Sequence, residues 1–382
     1  MSKGDARRPI LHAFILDEVK SFDTNVRVSA LLRDLAAAQT ARPSRWGYKR
    51  AAEAVAALDE PLEALLQPNG TLRKIPNVGP SSTRIILEVL RTGRSATVEA
   101  ATQSPIHGVG AGSPASNDQT FLSHVQVLDA LSHPIPNAVR PADYRGDLQM
   151  HSEYSDGRTT IEAMAEGCRA RGYSYCAITD HGYGLSIANG VSMTDLKRQH
   201  AEIDKLNRGY KGRFRILKGI EANILADGAL DLKPRELQRL EVVVAAPHSR
   251  LRATDDQTTR MVTAICTAGV HVLGHLRGRK FRTRAGIQAD WDVVFAAAAK
   301  CGVAIEIDGD PSRQDIDFML AGHAVGSGCL FALDSDAHSV SELTYVDTAI
   351  AHARLAGIPR SRIINCWPLD KLTAWLAQAW ER

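Results

Sequence analysis

Between residues 26 and 101 the apolar positions recur at helical spacing. Val28, Leu31, Leu32 and Leu35 form one stripe, Ala51, Ala52, Val55, Ala56 and Leu58 a second, and Ile85, Ile86, Val89 and Leu90 a third. These short amphipathic stripes predict a small all-helical unit. From about residue 142 the pattern changes. Continuous apolar runs, YCAITD (175–180), FRILKGIEA (214–222), LEVVVAAP (240–247), GVHVLGH (269–275), GVAIEID (302–308) and CLFALDSDAH (329–338), alternate with helical stretches such as TTIEAMAEGCRARG and WDVVFAAAAKCG. Strands buried on both faces read this way, and their alternation with helices over 142–382 predicts an α/β fold, a parallel (βα) barrel. Residues 102–141, where SPIHGVGAGSPASNDQ is dense in Gly, Ser, Pro and Ala, predict a flexible linker. Residues 1–25 form an N-terminal extension to which the pattern gives no role.

A chain of 382 residues accommodates two domains or three. Its hydrophobic fraction of 44% and charged fraction of 23% exclude wholesale disorder and fibrous structure. No apolar run approaches the length of a membrane-spanning helix. The opening MSKGDARRPILHAFILDEVK is not a secretory signal, because Asp17, Glu18 and Lys20 interrupt its short apolar part. A cytoplasmic protein with no membrane partner is expected, and a monomer is compatible with the sequence. The six cysteines (Cys168, Cys176, Cys266, Cys301, Cys329 and Cys366) stand apart with no C-x-x-C pair, so reduced structural thiols are expected.

The net charge of +3 is too small to imply a nucleic-acid partner, so any such argument is local. Between the second and third helical stripes lies LRKIPNVGPSSTRIILEVL, where Asn77 and Gly79 tolerate positive φ and Pro80 suits the first turn of the next helix. Such a turn exposes backbone N–H groups at a helix N-terminus, a seat for phosphate. Residues 26–101 hold eleven basic side chains against seven acidic ones, a surplus that suits contact with a DNA backbone. Pro76, Asn77, Val78, Gly79, Ser81 and Arg84 are the candidate DNA-binding residues. The other reading is a structural bundle with a solvated basic face.

The strongest signal lies in the second half. Reading off what ends each predicted strand gives Asp147, Gln149 and His151, then Asp180 and His181, Glu221, His248, His275, Glu306 and Asp308, and finally Asp336 and His338. In a (βα) barrel the chemistry sits at the C-terminal ends of the strands. Histidines and carboxylates recurring there offer the N and O donors that Zn²⁺ and Mn²⁺ accept, and carboxylates can bridge two ions. A multinuclear cluster serving hydrolytic phosphate chemistry is the expectation.

These segments carry two resemblances. RWGYKRAAEAVAAL followed by IPNVGPSSTRI resembles the N-terminal helical domain of the family X DNA polymerases, with its helix-hairpin-helix element; the usual P-G-I/V-G turn stands here as Pro76-Asn77-Val78-Gly79. The following helix, STRIILEVL, has no lysine for Schiff-base chemistry, so lyase activity is not expected. The segment 102–141 also lacks the Gly-Ser motif and paired aspartates of a polymerase palm, so polymerase activity is not expected either. Residues 142–382 resemble the PHP (polymerase and histidinol phosphatase) family: DLQMHSEYSDG, ITDHG, GIEANI, APHS, the GH segment and SDAH follow the order of the family's motifs. The resemblance implies a PHP-type distorted (βα) barrel with two or three metal ions, Mn²⁺ or Zn²⁺. Its motifs imply that His151, Glu221 and Asp336 hold one ion, Glu221, His248 and His275 a second, and Asp156, His181 and His338 a third. Asp180 would orient His181 or reach the metals indirectly.

Gln149 departs from the family, which most often has the first His of an H-x-H pair there, and an amide oxygen is a weaker ligand than imidazole. Basic side chains are expected to line the cleft: Arg277, Arg279, Lys280, Arg282 and Arg284 follow His275, Arg250 follows His248, and Arg313 follows the Glu306 to Asp310 segment. Arg suits bidentate phosphate recognition. Arg250 and Arg279 are taken with Asp180 as the candidate catalytic residues. The resemblances together imply a metal-dependent DNA phosphoesterase, a 3′–5′ exonuclease or 3′-end processing enzyme. The alternatives are a small-molecule phosphomonoesterase of the histidinol-phosphatase type and a weakly active DNA-binding protein.

Overall fold

The computed structural model of the protein describes residues 24–36, 38–39, 41–102, 120–281 and 283–380. The N-terminal extension up to residue 23, linker residues 103–119 and Arg282 therefore lie outside the described residues. The chain divides into two compact units, one extending to Ser113 and including Leu122–Asp129, the other comprising Pro114–Phe121 and Ala130–Arg382. No helix among the described residues is long and apolar enough to cross a membrane.

In the first unit, α1 (residues 24–36), α2 (Arg42–Ala56), α3 (Pro80–Thr92) and α4 (Ala96–Thr102) enclose one apolar core. The predicted stripes supply it: Val28, Leu31, Leu32 and Leu35 from α1, Ala51, Ala52 and Val55 from α2, Ile85, Ile86 and Val89 from α3. Ala56 is exposed instead, because it is the last residue of α2 and the chain turns away there. Asn25 ties the loop after α2 to α1, donating from Nδ2 to the Glu60 carbonyl (3.0 Å) and accepting from the Leu62 amide (2.8 Å). Pro80 opens α3 and Gly93, at φ 72°, closes it, the asymmetry helices favour. The turn before α3 has Asn77 at φ 63°, a conformation Asn tolerates better than most residues.

The linker reading needs correction over its second part. α5 (His124–Ser132) occupies it, and Thr120, Phe121 and the residues around Val139 pack into ordered structure. The cause is side-chain chemistry beyond the Gly- and Ser-rich stretch: Val127, Ala130 and Val139 are buried, and the Arg354 side chain donates to the carbonyls of Ala130, His133 and Val139.

The second unit is the predicted barrel. Strands β1 (Gly146–Asp147), β2 (Tyr175–Ile178), β3 (Arg215–Asn223), β4 (Val242–Ala246), β5 (Val272–Leu273), β6 (Ala304–Asp308) and β7 (Leu330–Asp334) are parallel and lie in chain order. Helices follow the strands, among them α6 (Ile161–Ala170), α7 (Met193–Tyr210), α8 (Pro234–Leu237), α9 (Thr258–Ile265), α10 (Trp291–Cys301), α11 (Phe318–Gly326), α12 (Val346–Leu355) and α13 (Leu369–Gln378). The strands are buried on both faces, as their unbroken apolar runs predict.

The seven strands nearly close. Between β7 and β1 there is no ladder but a single parallel bridge, Met150 to Ala337, with the His151 amide donating to the Ala337 carbonyl (2.8 Å). Lower down, buried carboxylates take the place of ladder carbonyls. Asp334 Oδ1 accepts from the Leu148 amide (2.9 Å), and Asp147 Oδ1 accepts from the Ser335 amide (3.3 Å).

Candidate metal centre

Every predicted metal ligand lies at the C-terminal rim of the barrel, on the strand or the loop just after it. His151 follows β1, Asp156 the turn beyond it, His181 β2, His248 β4, His275 β5, and Asp336 and His338 β7; Glu221 is on β3 itself. Glu221 is completely enclosed. Its Oε1 lies 3.1 Å from His248 Nε2 and 2.8 Å from His275 Nε2, and its Oε2 3.1 Å from His181 Nδ1 and 3.4 Å from His151 Nε2. Burial alone would raise its pKa, but His181, His248 and His275 hold it well below the usual carboxylate range.

His151 stands at the centre. Its ring stacks on His181 (centroids 4.4 Å apart) and on His338 (4.3 Å), and its Nε2 is 3.0 Å from Asp336 Oδ1. Asp156 reaches from the side, 3.6 Å from His181 Nε2 and 3.4 Å from His338 Nε2. Gly157 permits this approach: a Cβ there would fall 2.6 Å from the His151 carbonyl carbon, so any other residue would push the turn away. Burial lowers the His338 imidazole, but Asp156 and Asp336 outweigh it and raise its pKa to about 10, whereas burial takes His181 down to about 3. Asp336 has a left-handed backbone (φ 51°), strain that tends to collect at functional sites.

Three groups bring ligand atoms within 4.8 Å of one another: His151, Glu221 and Asp336; His181, Glu221 and His248; and His151, Asp156, His181 and His338. The first is the set expected from the motifs. The second contains His181 where His275 was expected; His275 Nε2 lies 2.8 Å from Glu221 Oε1 beside it. The third adds His151 to its expected set. The fit to metal ions is supported by buried atoms left without hydrogen-bond partners: Nδ1 of His151, His181 and His275, both ring nitrogens of His248, and Glu221 Oε2. Closely spaced donors that do not bond each other are what a hard or borderline cation satisfies.

Asp180 lies behind these ligands. Buried, it accepts from the Ser152 amide (2.7 Å), the hydroxyls of Ser152 and Ser155 (2.5 Å each) and Gln199 Nε2 on α7 (2.7 Å). It fixes the turn that carries His151 and Asp156. Ser152, Ser155 and Gln199 were not foreseen, since single polar residues at those positions carry no sequence signal.

The two candidate catalytic arginines are placed differently from expectation. Arg279 is fully buried with its guanidinium over the Phe121 ring (4.0 Å), donating to Asp317 Oδ2 (2.8 Å), Thr120 Oγ1 (2.7 Å) and the Gln314 carbonyl (2.6 Å). It braces the fold, because the chain reverses at Gly278 (φ 57°) and turns this side chain inward. Arg250 pairs with Asp255 (2.6 Å) at the surface. Arg277 also meets Asp317 (3.1 Å). The basic group beside the ligands is Arg313, whose Nε lies 3.7 Å from Asp336 Oδ2 and 3.8 Å from Asp308 Oδ2.

Beneath the rim is an acidic layer. Asp147, Glu306, Asp308 and Asp334 are all fully buried, and each keeps one carboxylate oxygen without a hydrogen-bond partner. Burial pushes Asp147, Glu306 and Asp308 well above the usual carboxylate range and Asp334 up to about 6. Gln149 is fully buried as well, and neither its Oε1 nor its Nε2 has a partner.

Residues 147–311 match the family model described as the PHP domain. The chain contains a PHP domain. The chain is 36% identical over 233 residues to the DNA polymerase/3′-5′ exonuclease PolX of Bacillus subtilis, a match covering 61% of this chain and 41% of that protein. It is 26% identical over 237 residues to the probable phosphatase YcdX of Shigella flexneri serotype 5b, covering 59% of this chain and 91% of that protein. The chain thus spans less than half the length of the PolX relative. A solved histidinol phosphate phosphatase (HISK) of Lactococcus lactis overlaps 55% of this chain and 94% of its own at 17% identity and a TM-score of 0.43. The matched segment carries His151, Asp156, His181, Glu221, His248 and His275, and Asp336 and His338 beyond it complete the donor set of a metal-dependent hydrolase, with ligand groups that share Glu221, His151 and His181.

Proposed function

We propose that the protein is a metal-dependent phosphoesterase acting on DNA, a 3′–5′ exonuclease or 3′-end processing enzyme without polymerase activity. The observation that carries this reading is the trio of overlapping ligand groups at the barrel rim, joined through Glu221, His151 and His181. Divalent ions bound there, Mn²⁺ or Zn²⁺, would lower the pKa of a water and neutralise phosphoryl oxygens. The chain's own residues do the rest. Glu221, which belongs to two of the ligand groups, would hold two ions. Asp180 holds the His151 to Asp156 turn in place. Arg313, 23% exposed beside Asp336, offers guanidinium donors to the charge that develops on phosphorus.

The DNA assignment draws on the PolX relative and on the helical unit. There Pro76, Asn77, Gly79, Ser81 and Arg84 lie exposed around the turn that opens α3, with Val78 half-buried, an arrangement that offers backbone N–H groups to a phosphate. Hydrolysis of small phosphomonoesters is the second reading, favoured by the similarity to a probable phosphatase over nearly all of that relative's length.

Incubation of a 5′-labelled DNA primer with Mn²⁺, beside a chromogenic phosphomonoester, decides between them. A ladder of shortened primers that vanishes in the Asp336→Ala, His338→Ala double variant is the expected result. Intact primer with hydrolysed monoester establishes the phosphatase instead. Bound but uncut DNA with no monoester hydrolysis would mean a binding protein whose metal centre has decayed at Gln149.

A further inference from the structure

The basic residues around His275 divide into an inward set and an outward set. Arg277 and Arg279 turn in towards Asp317. Arg284 belongs to a tight turn in which the Lys280 amide donates to the Arg284 carbonyl (2.8 Å) and the Arg284 amide to the Lys280 carbonyl (3.0 Å). The Phe281 amide in that turn donates to the Ser312 carbonyl (2.8 Å), which seats the turn against the residue preceding Arg313. From the loop after β4, Arg252 donates through Nη1 to the Thr283 carbonyl (2.8 Å) and so joins the same turn.

Hydrogen bonds therefore link Arg313, Arg284 and Arg252 in a row that begins 3.7 Å from the metal ligand Asp336. Away from the centre the row has no ion pair among the described residues, Asp315 acting on Arg284 only at longer range. The Arg252 side chain is bonded to the Thr283 carbonyl and Arg284 Nε to the Gly278 carbonyl, and neither meets a carboxylate within ion-pair distance among the described residues. Burial first, and then Arg313 and Arg252 beside it, hold the Arg284 guanidinium below its ordinary value. Like charges fixed near each other by backbone bonds are stabilised by an extended anion with more than one phosphate, which a small monoester is not.

We propose that Arg313, Arg284 and Arg252 form a track for successive backbone phosphates of one nucleic-acid strand whose terminus lies at the metal centre. The track rests on the phosphoesterase reading above and extends it to substrate length: the enzyme discriminates a strand from a monoester through phosphates that do not react.

The test compares the full chain with Arg252→Ala, Arg284→Ala and their combination, with Mn²⁺, on a 5′-labelled oligonucleotide, a dinucleotide and p-nitrophenyl phosphate. Oligonucleotide affinity is followed by anisotropy across a salt series. Each substitution is expected to lower kcat/KM for the oligonucleotide about tenfold relative to the monoester, mainly through KM, as loss of one charge-assisted contact does. The dinucleotide loses less from Arg252→Ala than from Arg284→Ala. The slope of log affinity against log salt falls by about 0.7 per arginine, and lysine at the same position restores it. An unchanged salt slope, or parallel losses on all substrates with a lowered Tm, overturns the track while leaving the phosphoesterase reading intact. A wild-type enzyme that hydrolyses only the monoester overturns the DNA reading and the track with it.

Discussion

The helical unit and the barrel bury opposite kinds of material. The first closes over a core in which Leu31, Leu32, Val55, Ile85 and Ile86 meet, with few polar groups inside. Its folding follows from apolar area removed from water, and its candidate DNA-contacting turn is exposed. The barrel has apolar layers too, between strands and helices, but its interior holds Asp147, Glu306, Asp308 and Asp334 below a rim of histidines and carboxylates. Charge confined in this way is costly unless cations or protons accompany it. The stability of the first is therefore expected to be indifferent to ions, and that of the second to be tied in part to them.

The largest expected effect falls on the barrel's central carboxylate. Glu221→Gln removes a negative charge that faces four histidines, and should reduce Mn²⁺-dependent hydrolysis by about 10³-fold or more, measured as kcat beside metal content by mass spectrometry. Full metal content with full activity would break the comparison. Ile86→Ala, in the helical core, should destabilise that unit by about 3 kcal/mol while p-nitrophenyl phosphate turnover stays at the wild-type level.

Chelation should act the other way round. If ions bind at about a hundred times Kd, their removal costs the barrel about 2.7 kcal/mol and roughly 5–10 °C in Tm. Hydrogen exchange across the full chain should show faster opening in β1, β3 and β7 and no change in α1 to α3.

Acid provides a separable effect, spread over several pH units. His352 on α12 is fully buried, accepts from the Phe318 amide at Nδ1 and lies 2.8 Å from Gln314 Oε1 at Nε2, and burial takes its pKa from 6.5 down to about 3. The unfolded chain then binds the proton first. Stability from this group is complete above pH 6.5 and declines by up to about 1.4 kcal/mol per pH unit between 6.5 and 3. Denaturant titrations of metal-free His352→Gln should lose that slope. The smallest effect is local: Asn77→Ala, at φ 63°, should cost about 1 kcal/mol and weaken DNA binding without altering phosphomonoester turnover.

Much of the barrel was legible because its signals are periodic. Unbroken apolar runs marked six of the seven strands, and a His, Glu or Asp at their ends marked the rim. β1 shows as a pair of ladder residues, too short for any pattern, and was located by its polar ending. What the sequence did not convey was direction. Arg279 follows His275 closely, yet the reversal at Gly278 turns it into the protein; Arg313, far along the chain, arrives beside Asp336 because the loop after β6 folds back over the rim. Likewise His181 stands in the ligand group where motif order placed His275, which bonds Glu221 beside it.

The seam between β7 and β1 gives the centre a mechanical aspect. His151 and Asp336 stand on opposite sides of it, and among the described residues the two edges are joined by one backbone bridge, by amide bonds to the carboxylates of Asp334 and Asp147, and by Asn365, which accepts from the Leu333 amide and donates to the Gly146 carbonyl. His151 and Asp336 would hold a bound ion between them, and such an ion would act as a clasp across this seam. Tightness of the clasp and closure of the cylinder are then a single linked equilibrium. The amides of Leu148 and Ser335, exchanging with solvent, would report how often the clasp opens.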